Sequence, residues 1–473
     1  MNGDGSGRAD LGSIAEPVAA EGKGSVVLAA ILSGTFIGAI GNNIVNVPLA
    51  QIISYFDASL SEGVFVVTGF LIAIAAFMPI AGYLGDRFGR RRVYVTAVVG
   101  CAICAVGSAT SSSILALIAW RSINGILAAP LAPVSIALIT SVLDRSLRAR
   151  SVSAWAAVNG VGQSVAPTMG GLIAGAWGWR WIFVPIVPMA IVSVVVALRR
   201  VPRQYPVRSH LDTWGAGLLT VGCLLVVAGV SLIAEPSILR WVIAVAVGGG
   251  VCVLVVFVWH CRRSRSPFVD LTLVGHSRFY RSVFTAVAQM SCFGTMMVAI
   301  PLKLHAMGLS PIRAGLIMFA LPATMVLGAV AVGKFSDPVG PRRVIRAGLS
   351  VLVVGQGLLA LCLGAADDPY VGLIIPLLAL NGLGCAMVQS PATTGATRTA
   401  IGKTGSGLGL FQTLRFGGSA LGGAWVAMAL PQSGGYGLAF GAMGCVAALG
   451  LALSFLGTDP ERDRNQLLVK GNR

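Results

Sequence analysis

Four pairs of polar residues stand inside long apolar stretches of this sequence, each spaced to share one face of a helix. Asn42 and Asn46, and Asn159 and Gln163, are four apart; Arg121 and Asn124, and Gln412 and Arg415, are three apart. In an apolar medium such groups serve interhelical hydrogen bonding or contact with a polar ligand or an aqueous path, and for each amide both readings stand. A guanidinium cannot shed its proton, so it has to be hydrated or paired. Met290, Phe293 and Met297 form a stripe that reads either as a soft wall for varied ligands or as ordinary packing.

The seventeen acidic residues and the four histidines fall in tails, loops or the ends of apolar stretches. Cys101 and Cys104 have CxxC spacing without a second pair, and Asp367-Asp368 sits beside Pro369 as a turn. An enzyme working on lipid needs clustered acids or histidines, and a channel needs rings of charge or carbonyls. Neither pattern is present, so no metal and no cofactor is expected. The remaining carboxylates of interest are Asp57 and Glu62 at one end of an apolar stretch and Asp86 at its other end.

These residues need helices to hold them. Of 473 residues, 56% are hydrophobic and 11% charged, too little charge for a soluble surface. Apolar runs of about 20 residues predict spans at 25–47, 64–83, 93–110, 114–138, 153–175, 181–198, 214–234, 241–259, 282–302, 314–333, 347–364, 371–391, 407–430 and 436–456. With the N-terminus inside, 28 of the 34 Lys and Arg fall in cytoplasmic segments. Arg180, Arg240, Lys303 and Arg313 fall outside, and Arg121 and Arg415 within spans. The net charge of +17 is therefore a topology signal and not a nucleic-acid footprint. Fourteen spans satisfy the rule in both halves. Residues 1–24 read as a disordered cytoplasmic lead.

A repeat organises the spans. Gly82-Tyr-Leu-Gly-Asp86-Arg87-Phe-Gly89-Arg90-Arg91 recurs 251 positions later as Gly333-Lys-Phe-Ser-Asp337-Pro-Val-Gly340-Pro-Arg342. The same loop at the same place in two sets of six spans implies duplication. Its Asp can pair with Arg and its Gly permits a tight turn, so the loop reads as a latch between helices. Two further spans lie between the halves, flanked by basic linkers at 199–213 and 260–281.

The first copy, GYLGDRFGRRR, resembles the signature loop of the major facilitator superfamily. Arg121-Ser-Ile-Asn124-Gly125 is similar to its R-x-x-x-G element. Gly162-Gln-Ser-Val-Ala166-Pro167-Thr-Met-Gly170-Gly171 is similar to the antiporter motif, with Ala166 in place of a Gly. Trp179-Arg-Trp-Ile-Phe183 and Ser266-Pro-Phe-Val-Asp-Leu271 resemble segments of the fourteen-span drug:proton antiporter family. The resemblance implies a hinge at Gly162–Gly171, a cavity bordered by Arg121 and Arg415, and export of a drug or secondary metabolite. It also implies an Asp five residues before Asn46 in Ile44-Val-Asn46-Val47, where this chain has Gly41. That departure argues against family-style proton/cation exchange and leaves Asp57 and Glu62 as coupling candidates.

The expectation is an all-α polytopic membrane protein of the major facilitator fold with both termini cytoplasmic. Bundles at 25–198 and 282–456 flank two extra helices within 199–281, with tails at 1–24 and 457–473. It is expected to work as a monomer in the cytoplasmic membrane. The expected partners are a small-molecule cargo, the lipid bilayer and protons, with no nucleic acid. An exporter or facilitator without proton/cation exchange is the alternative, with a membrane-embedded lipid-modifying enzyme behind it.

Overall fold

Apolar runs this long leave the backbone no partner but itself, and helices follow. The computed structural model describes residues 21–142, 145–202, 212–232, 240–264, 267, 269, 271–272, 276–364, 371–397, 405–432 and 434–456. Among them there is no strand. The first half comprises α1 (Glu21–Asn43), α2 (Leu49–Phe56), α3 (Leu60–Phe88), α4 (Arg90–Ala109), α5 (Ile114–Ala128), α6 (Leu131–Val142), α7 (Arg145–Trp177) and α8 (Ile186–Arg200), the last preceded by a 3-10 turn, Trp179–Phe183. Between the halves run α9 (Thr213–Ser231) and α10 (Arg240–Arg263). The second half comprises α11 (Ser277–Ala306), α12 (Pro311–Met318), α13 (Ala320–Val339), α14 (Pro341–Gly364), α15 (Val371–Thr397), α16 (Gly405–Ala429) and α17 (Gly435–Leu453).

Twelve of these stretches are long and apolar enough to cross a bilayer. They include every expected span except 153–175 and 407–430, which lie in α7 and α16. At 33 and 25 residues those helices reach about 50 and about 37 Å, and their Gly, Ser, Gln and Arg content is what lowers their apolarity.

Helix starts follow local chemistry. Ser59 and Ser310, again 251 apart, cap α3 and α12 by accepting from the backbone N–H groups of Glu62 and Arg313. Gly89 and Gly340 sit at φ 91° and 96°, a backbone region open chiefly to glycine, and each turns the chain into the next helix.

Each half packs within itself. In the first, α1 lies against α7 and α8, α4 against α5 and α8, and α3 against α5. In the second, α11 lies against α15, α16 and α17, with α14 against α15 and α17. Backbones approach closely there, since a Cβ on Gly294 would collide with the Ser419 carbonyl and one on Gly422 with the Ser291 carbonyl. The halves meet along two seams, α3 on α16 and α7 on α12 and α13. Helices α9 and α10 pair with each other, and α9 also touches both α3 and α16.

Candidate functional site: a cavity between the halves

A cavity of about 720 Å³ lies between the halves, within the range that takes a small organic molecule. The first half contributes Thr35 and Asn42 from α1, Met78 from α3, and Trp155, Asn159 and Gln163 from α7. The second contributes Phe293 from α11, Met325 from α13, Gln389 and Thr393 from α15, and Gln412, Arg415 and Phe416 from α16. Met78, Gln389, Thr393, Gln412 and Arg415 lie toward the end of the helices that carries the Gly89 and Gly340 loops, whereas Asn42 stands next to the opposite end of α1. At the other end α7 closes on α12: a Cβ on Gly171 would collide with the Pro311 carbonyl, and one on Gly175 would lie 2.6 Å from Ile312 Cγ1.

The two arginines have different surroundings. Arg415 is 7% exposed, donates from Nη1 to Gln412 Oε1 at 3.3 Å, and lies 5.5 Å from the Phe416 ring centre. Its Nε and Nη2 have no hydrogen-bond partner among the described residues. Arg121, 2% exposed, does not line the cavity. It ties α5 to its neighbours, donating from Nη1 to the Gly41 carbonyl at 2.8 Å and from Nε to the Val66 carbonyl at 3.3 Å, beneath the Phe70 ring. No carboxylate pairs with either arginine among the described residues.

The amides divide likewise. Gln163 donates to Asn159 Oδ1 on the cavity wall, one turn along α7. Asn42 faces the cavity, and its Oδ1 has no partner among the described residues. Asn46 does not share that face. Helix α1 ends at Asn43, and a turn over 44–48 leads into α2. Asn46 instead donates to Asn43 Oδ1 at 3.3 Å within the turn. Asn124 is buried and donates weakly to the Cys101 carbonyl at 3.5 Å. Of the α11 stripe Phe293 reaches the cavity, while Met290 and Met297 are buried in packing.

The Gly162–Gly171 segment is a contact surface along a continuous α7 that runs through Pro167. A Cβ on Gly162 would lie 2.7 Å from that of Ala39; Ala166 is fully buried; a Cβ on Gly170 would collide with the Ile44 carbonyl. Neither expected coupling carboxylate lines the cavity. Glu62 closes the capping box of α3 by accepting from the Ser59 N–H at 2.8 Å, and Asp57 is an exposed C-cap of α2 at φ 49°.

In the latch loop, Asp86 accepts from Arg90 Nε and Nη2 at 3.1 and 3.0 Å, and Arg90 Nη1 reaches the Ala137 carbonyl of α6 at 3.1 Å. Arg87 donates to the Tyr83 hydroxyl at 2.8 Å. Arg91 donates to the Leu198 and Val201 carbonyls at the end of α8. Its counterpart Arg342, 251 positions on, donates to the Ser454 and Phe455 carbonyls at the end of α17, at 3.1 and 2.8 Å. Each guanidinium thus neutralises the negative end of the last helix of its own half. Gly82 falls in α3 and Gly333 in α13; the Asp337 side chain lies outside the described residues.

Gln389, Ser390, Thr393 and Thr394 also line the cavity, and sequence reasoning missed them. The expected span ended at 391, whereas α15 runs to Thr397. A Gln/Ser/Thr cluster four residues deep was the available signal. Trp155 carried none.

The Major Facilitator Superfamily profile matches residues 31–423 and 282–472. The drug efflux pump JefA of Mycobacterium tuberculosis is 31% identical over 85% of this chain and 80% of its own length. The multidrug resistance protein Stp of the same organism is 28% identical over 80% of this chain and 71% of its own. Among solved structures, a peptide transporter POT in complex with sulfate superposes at a TM-score of 0.69, with 14% identity over 90% of this chain and 93% of that one.

Proposed function

This chain belongs to the Major Facilitator Superfamily, alongside multidrug efflux transporters, and from that premise we propose that it exports amphipathic organic compounds by alternating access. It is a multi-pass membrane transporter and not an enzyme. One observation carries the proposal: the cavity lies on the seam between two bundles that meet along α3–α16 and α7–α12/α13. Rocking one bundle against the other about that seam would expose the cavity at either end in turn. Apolar walls with scattered amides and hydroxyls suit a hydrophobic body bearing a few polar groups.

The moving bodies in this reading are 25–198 and 282–456, joined through 199–281. Adding α7 and α16 to the twelve apolar stretches gives fourteen spans with both termini cytoplasmic. The arginine-rich loops then face the cytoplasm, and the cavity beside them is in its inward-facing state. We place the chain as a monomer in the cytoplasmic membrane. The family resemblance favours a proton-linked cycle. A second reading, export without proton/cation exchange, is favoured by the lining itself, which holds no carboxylate or histidine among the described residues.

The test uses cysteines at Gly175 and Ile312 in an otherwise cysteine-free chain. Oxidation should join α7 to α12, hold the far end shut and stop dye export from cells, and reduction should restore it. Undiminished export by the cross-linked protein would refute alternating access at this seam.

A further inference from the structure

We propose that the cargo is an organic monoanion whose acidic group docks on Arg415, and that the membrane potential drives its export. The proposal rests on the export reading and specifies its substrate class and energy source. Arg415 is the single charged side chain among the described residues lining the cavity. Its guanidinium is almost wholly desolvated, and two of its donor nitrogens lack acceptors among the described residues. A guanidinium keeps its charge at any working pH. Whatever neutralises it in the cavity has to bring a negative charge, and a carboxylate or sulfonate matches the planar donor geometry.

The rest of the wall agrees. Phe416, Phe293 and Trp155 offer aromatic faces for the body of such a molecule. The Oε1 of Gln389, also unpartnered among the described residues, can accept from a hydroxyl on it. Behind α1, Arg121 adds a second positive charge with no carboxylate paired to it among the described residues. In low-dielectric surroundings the two fields add and set a penalty against cations. No lining group among those described can carry a proton inward in exchange for cargo. None is needed. Each cycle would move one negative charge outward, which an inside-negative potential favours.

The experiment uses the full chain in proteoliposomes with 1-anilinonaphthalene-8-sulfonate, a monoanion at every pH tested, and ethidium, a permanent cation. A potassium diffusion potential at equal pH should drive the sulfonate toward the positive side and reverse with its sign. About 100 mV sets a limit of about 50-fold accumulation. A pH gradient at zero potential should drive neither probe. Arg415→Gln should weaken sulfonate binding by about 10- to 100-fold, and Arg415→Lys far less. Both variants are checked for a monodisperse elution profile, and the comparison of gradients on the parent protein stands without them. Sulfonate flux that ignores the potential, or that survives in Arg415→Gln, overturns the proposal. So does a flux that requires chloride, lost when the potassium chloride is diluted with sucrose at a fixed potassium ratio and restored on its return, which would assign Arg415 to that inorganic anion. Ethidium moved by the pH gradient would overturn the proposal while leaving the export reading intact; no flux of either probe under either gradient would count against both.

Discussion

Gly41→Asp puts a carboxylate on the residue whose carbonyl the guanidinium of Arg121 already holds. Arg121 Nη1 is 2.8 Å from the Gly41 carbonyl, and a Cβ on Gly41 would meet only Asn124 Oδ1, at 3.6 Å, an ordinary contact. The backbone therefore accepts a Cβ at position 41 without a clash. At about 4 Å and an effective dielectric near 20, the pair attracts by about 4 kcal/mol. Stripping water from the carboxylate consumes several kcal/mol of that. The substitution alone should leave unfolding free energy within about 2 kcal/mol of the parent. In an Arg121→Gln background the same carboxylate is buried unpaired and should cost about 3–5 kcal/mol. Unfolding by SDS in mixed micelles, over the four proteins of the cycle, reads the coupling directly. A coupling below about 0.5 kcal/mol would refute the view of Arg121 as a buried cation without a counter-charge.

Arg91→Gln and Arg342→Gln should each lose about 1 kcal/mol of stability, and the double variant their sum within about 0.5 kcal/mol, because the two caps serve different halves; strong non-additivity would contradict that independence. Glu62→Gln should lower stability by no more than about 1 kcal/mol and leave the pH profile of transport unchanged, since its carboxylate serves a helix cap; a shifted profile would return it to the coupling role. Cysteines replacing Arg203, Arg263 or Arg265 should react with an impermeant maleimide only from the cytoplasmic side, and those replacing Glu235 or Asp367 only from outside; the reverse would defeat the fourteen-span topology.

The helices were legible because membrane crossing imposes a length and a composition on each one. The repeat was legible too, and Arg91 and Arg342 give it a shared atomic role that the bare motif did not specify. Cavity residues were legible only in part. Helical spacing joined Asn42 to Asn46, but the helix ends between them, at Asn43. Spacing also selected Met290 and Met297, on a helix that neighbours enclose on nearly every side, where periodicity loses its meaning. Of the polar cluster at the end of α15, Thr393 and Thr394 lay beyond a span boundary set six residues short of Thr397, while Gln389 and Ser390 stood inside it and were passed over. Asp57 and Glu62 were chosen for their charge, and local backbone geometry accounts for both.

Helix α9 touches both α3 and α16, so it lies over one of the two lines along which the bundles meet. The other line, α7 on α12 and α13, has no such cover among the described helices. The molecule therefore presents unequal flanks to the surrounding lipid. On the uncovered flank the seam holds itself together, in part through the Ser164 hydroxyl of α7, which donates to the Pro322 carbonyl of α13 at 3.2 Å.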